Sequence, residues 1–151
     1  MRHTRPVTIV VCAVLGVAVG FVLEVALASA GQPVLIPPIT LAITLVATGA
    51  IVVALAVPIR RSIRGTSSHR IDPFRAMRVV VLAKASTLVG SLLAGFAAGA
   101  VLFLLTRPVV ADVGSLWPGI AAALSGVLLA VAGVVAERLC TLPPDEPHTE
   151  A

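Results

Sequence analysis

The chain has 151 residues, of which 58% are hydrophobic and only 12% charged, where a soluble globular domain carries about 25% charge. A mean hydropathy of +1.08 is more than one core of this size can hide, because a small domain leaves much of its surface in water, and an ordinary soluble domain is excluded. The net charge of +4 would suggest nucleic acid in a soluble protein, but here it is the signature of membrane orientation.

The pattern predicts an all-α polytopic membrane protein, a four-helix transmembrane bundle over residues 1–139. At about 20 residues per span, four helices leave no room for a separate catalytic domain. Span one covers 7–28, behind Arg2 and Arg5, and ends in Ser29-Ala30-Gly31-Gln32-Pro33. Ala28-Ser29-Ala30 also has the form of a signal-peptide cleavage site, but the apolar run of span one exceeds the usual 7–15 residues of such a region, so retention of the span is expected. Span two covers 38–58 and is entered through Pro37-Pro38, whose missing N–H groups suit a first helical turn. A basic loop, 59–78, follows with Arg60, Arg61, Arg64, Arg70, Arg75 and Arg78 against one acid, Asp72. Span three covers 79–105 and is stopped by Thr106-Arg107-Pro108. Span four covers 117–136, with Trp117 at interfacial depth. The acidic, proline-rich tail, 140–151, reads as disordered.

Counting Lys and Arg sets the orientation, since cytoplasmic loops carry the excess. The N-terminus has two, the middle loop six, and the end of span four has Arg138, whereas the opposite loops hold only Arg107. Both termini are therefore expected in the cytosol of a bacterium, with the spans in its plasma membrane. Cys12 and Cys140 then fall near the reducing side, and no disulfide is expected. The preference for Arg, with Lys84 the one lysine, and the wealth of Ala, Val, Leu and Gly fit the bias of a GC-rich genome.

Asp72-Pro73 has the form of a helix N-cap followed by proline at the first helical position, where a carboxylate meets free N–H groups and the helix dipole. Lys84 lies six residues past Arg78, about 9 Å deeper. Its side chain leans toward the helix N-terminus and can snorkel to the headgroups, with Glu137 as an ion-pair partner at similar depth. Glu24 sits 17 residues beyond Val7, about 25 Å along the helix. A carboxylate there must be hydrated, paired or protonated, and Arg107 is the expected partner because Lys84 is about 16 Å away in depth. An intramembrane acid is also a functional candidate by default.

Small residues recur at helical spacing in Gly16 and Gly20, in Ser91, Gly95 and Gly99, and in Gly119, Gly126 and Gly133. They allow close helix approach, expected inside the bundle, with a homo-oligomer face as the alternative. The arginine-rich loop suits anionic lipid headgroups of the bilayer or a protein partner. Nucleic acid is not expected, because Phe74 is its single aromatic and no recognition fold surrounds it. His3, His69 and His148 have no neighbouring ligand at metal spacing, no phosphate-binding glycine-rich motif occurs, and neither a cofactor nor a catalytic role is expected.

Several short segments occur in a characteristic order. They are Thr4-Arg5-Pro6, then Ile71-Asp72-Pro73-Phe74-Arg75-Ala76-Met77-Arg78, then Leu82-Ala83-Lys84-Ala85, and finally Glu137-Arg138-Leu139-Cys140 with Pro143-Pro144-Asp145. In this the chain resembles the actinobacterial membrane proteins catalogued as domain of unknown function 3180. The resemblance implies a small multi-span protein with no assigned activity, often encoded near folate-pathway genes, and it carries no functional residues over. The expected function is a non-enzymatic scaffold or modulator of a membrane or cytosolic partner. The alternative is a small proton-coupled transporter using Glu24, similar in layout to small multidrug exporters. The chain departs from those in having no Tyr and one Trp, and so lacks the aromatic faces that hold organic cations.

Overall fold

A computed structural model describes residues 6–33, 35, 37–63, 73–106 and 113–140. They form four helices, α1 (Pro6–Ser29), α2 (Ile39–Ile63), α3 (Pro73–Thr106) and α4 (Val113–Cys140), and the described residues contain no strand. Each helix holds a stretch long and apolar enough to cross a membrane: Pro6–Ser29, Ile39–Arg60, Met77–Thr106 and Leu116–Cys140. Such valine-rich segments would not favour helix in water. In hydrocarbon every backbone N–H and C=O must find its partner within the segment, and helix is the conformation that achieves this.

Sequence chemistry fixes several helix ends. Pro6 and Pro73 open α1 and α3, where the missing N–H costs nothing. Asp72 lies outside the described residues. α1 closes with a Schellman arrangement, in which the Gln32 N–H donates to the Leu27 carbonyl at 2.9 Å and the Gly31 N–H to Ala28 at 3.2 Å. Gly31 takes φ +69° there, the left-handed conformation that favours glycine at this position.

Two helices run further than the sequence suggests. α2 keeps Pro58 in its interior and continues to Ile63, past the expected close at Pro58. α4 starts at Val113, holds Pro118 inside, and runs to Cys140, so the first residue of the expected tail is helical, while 141–151 lie outside the described residues. For α2 and for the C-terminal end of α4 the reason is tertiary. Val52, Ala56 and Ile59 of α2, Val79 and Ala83 of α3, and Ala136 of α4 form a buried cluster against which Leu139 and Cys140 also pack. Contacts on both sides of a proline can hold a helix together through the hydrogen bond that it removes.

The helices pack in the order α1, α3, α4, α2, with α2 also meeting α3; α1 touches neither α2 nor α4 among the described residues. The bundle is therefore open. α3 and α4 are its centre and are more buried than α1 and α2. α1 and α3 are parallel, because Gly16 lies against Leu92 and Phe96, and Gly95 and Gly99 lie against Ala13 and Val17. α3 and α4 are antiparallel, with Gly133 against Ala83 and Thr87, Gly90 and Gly126 near the middle, and Gly119 against Val101. Lipid tails are as apolar as the side chains, so helix association here rests on close packing rather than hydrophobic burial.

Candidate functional site

Glu24 continues the stripe of α1 that faces α3, four residues beyond Gly20 and eight beyond Gly16, and it is 1% exposed. Phe21, one turn below, meets Phe103 of α3 edge to face, with ring centroids 5.9 Å apart. The connection leaving α1 returns over this position, and the Leu35 N–H donates to Glu24 Oε1 at 3.3 Å. Among the described residues Glu24 Oε2 is buried without a hydrogen-bond partner. The acid thus ties the α1–α2 connection to the helix stripe and keeps one acceptor atom in reserve. Arg107, its expected partner, lies outside the described residues.

Lys84 and Glu137 come together between α3 and α4, with Nζ and Oε1 3.9 Å apart and side chains 38% and 4% exposed. The asymmetry matters. The lysine reaches the end of the bundle, while the carboxylate is held inside, next to the Val52–Ala136 cluster in sequence and space. Removing the lysine would leave a buried carboxylate, the costly half of such a pair.

Arg60 and Arg78 stand at this same end. Arg60 ends the apolar stretch of α2, Arg78 lies in the first turns of α3, and both are exposed. Arg61 and Arg75 fall within α2 and α3. Arg64 and Arg70 lie outside the described residues. The shared cluster of α2, α3 and α4 brings the helix ends on either side of the basic loop together.

The small residues form two seams. A side chain at Gly16, Gly20, Gly95 or Gly99 would strike backbone of the facing helix, as Gly95 does at the Ala13 carbonyl. The second seam joins Gly119, Gly126 and Gly133 of α4 to α3, where a Cβ at Gly133 would strike Thr87 Oγ1. Ser91 is 4% exposed and donates to the Leu88 carbonyl. Gly90 and Gly49, which the sequence patterns did not single out, also stand at helix contacts, against Ala130 and Ala132. For Gly90 the signal was available, since Ala83, Gly90 and Ala94 share a face of α3 at spacings of seven and four.

Intramembrane hydroxyls are engaged by their own helices. Thr44 donates to Leu41, Thr48 to Thr44, Thr87 to Ala83 and Ser125 to Ala122, at 2.7–3.0 Å. Cys12 and Cys140 are free thiols, and among the described residues no three His, Cys, Asp or Glu side chains converge.

The family model described as Protein of unknown function (DUF3180) matches residues 9–144. The chain belongs to this family. No curated protein matches it. No solved structure does either. For this DUF3180 protein the match takes in α2, α3, α4 and all but the first three residues of α1, with the Glu24 anchor and the Lys84–Glu137 pair.

Proposed function

We propose that this protein is a non-enzymatic scaffold or modulator in a bacterial plasma membrane, with both termini in the cytosol and a partner recruited at the basic end. The observation that carries the reading is the common base of α2, α3 and α4, which sets Arg60 and Arg78 beside the connecting loop on a packed platform. Charge fixed on packed helix ends gives a partner or an anionic lipid surface a defined pattern to meet. The family resemblance adds an actinobacterial setting. Co-purification from the native membrane in mild detergent tests the proposal, comparing wild type with Arg60→Gln, Arg61→Gln and Arg64→Gln combined. A stoichiometric partner held by wild type and lost from the variant is expected. The absence of a reproducible partner for either protein overturns it.

A second reading, proton-coupled transport, draws on one observation, the unpartnered Oε2 of Glu24. Its test is substrate-driven proton flux in proteoliposomes, which Glu24→Gln must abolish. Flux that survives the substitution removes Glu24 from any such role.

A further inference from the structure

Because α1 and α4 both pack on α3 but not on each other, a groove of about 450 Å³ runs between them. Its walls include Ile9 and Ala13 of α1 and Ala130 of α4, its floor is Ser91 and Ala94 of α3, and Arg138 lines its basic end. The floor is low because its side chains are small. Its one hydroxyl, Ser91 Oγ, is already bonded to the Leu88 carbonyl, so the floor makes no demand for water. An apolar groove at membrane depth is not a water site, and an empty one forfeits dispersion contacts along its whole length. Hydrocarbon from the bilayer is the medium at hand to fill it.

The charges at its end define what that hydrocarbon is attached to. Arg138 is exposed as well as groove-lining. Lys84 precedes Ser91 by seven residues on the same face of α3, and its half-exposed side chain lies 3.9 Å from Glu137. Among the described residues these two cations and one carboxylate give the mouth a net positive charge, and a guanidinium matches the fork of a phosphate. We propose that the α1–α4 groove binds one acyl chain of an anionic phospholipid, with the lipid phosphate held at Arg138 and Lys84 adding to the positive field. Basic sites between membrane helices recognise lipid headgroups in this way. The site is separate from the basic loop and does not depend on the scaffold reading.

Native mass spectrometry of the purified full chain, titrated with phosphatidylglycerol or with phosphatidylcholine of identical acyl chains, tests the assignment. Wild type is expected to retain phosphatidylglycerol at least about fivefold better, because the choline ammonium of phosphatidylcholine cancels its phosphate charge and about fivefold is the factor that one basic residue near a net anionic headgroup supplies. Arg138→Gln should bring the two lipids level. Val131→Trp, a bulky ring at an exposed lining position, should lose both lipids, and Val135→Trp serves as a second filler should the first misfold. Equal retention of the two lipids by wild type overturns the proposal. So does an unchanged preference in Arg138→Gln, full retention by a folded groove-filling variant, or a second copy of the chain found seated along α1 and α4 by cross-linking.

Discussion

A carboxyl group at Glu24 has to be met by donors or lose part of its hydration energy unrepaid, and one main-chain N–H, from Leu35, answers one of its oxygens. Glu24→Gln keeps an oxygen for that N–H and removes the ionisable group. It is therefore expected to melt no lower than wild type in detergent, whereas Glu24→Ala should lower stability by about 1–3 kcal/mol; equal melting of wild type and the alanine variant would show that the tie is idle. Lys84 and Glu137 obey a different logic, because the buried partner is the acid. Lys84→Met should destabilise more than the double change Lys84→Met with Glu137→Gln, and a double-mutant cycle on the melting free energies checks the sign. The residues at both places stand out in the sequence as charges in apolar helices. The partner of Lys84 is readable because two oppositely charged letters fall at matching depth. That of Glu24 is not, since a main-chain N–H belongs to almost every residue and the letter Leu35 says nothing of it.

At the scale of helices, the seams carry the specificity. Gly95→Leu would drive a side chain into the Ala13 carbonyl, and because backbone cannot step aside cheaply, a loss of about 3 kcal/mol, the upper part of the range for overpacking, is expected. Loss of the monodisperse peak in size-exclusion chromatography is the readout; an unaltered peak and melting point would mean that α1 is not seated there. Gly31→Ala meets open space but a left-handed φ, and about 1 kcal/mol of destabilisation is expected from conformation alone. The spacing of Gly16, Gly20, Gly95 and Gly99 is visible in the sequence, yet small residues announce close approach without naming the neighbour. α3 carries small residues on two faces, toward α1 and toward α4, and those stripes overlap when written as a line of letters. Helix ends were obscured for a related reason: Pro58 reads as a boundary locally, while Ala56 and Ile59, buried on either side of it, carry α2 through.

Across the whole molecule, apolar length and the asymmetry of Arg placement are properties that survive in one dimension, which is why the number of spans and the expected orientation could be read directly. The order of packing could not, because it depends on which of several similar surfaces fit. The orientation itself is open to a direct check. A green fluorescent protein fused after Ala151 should be fluorescent and an alkaline phosphatase fused there inactive, and the reverse pattern would invert the topology.

The row in which α1 and α2 stand apart also bears on how the chain is made. α1 and α2 leave the ribosome before α3 and make no contact with one another among the described residues, so they must wait side by side in lipid. Only when α3 emerges, some seconds later at about 5–20 residues per second, does α1 acquire a neighbour, and α2 gains its main one only with α4. Assembly is thus deferred until α3 and α4 have emerged, and a chain broken off after α2 would leave two inserted helices without the surfaces on which they pack.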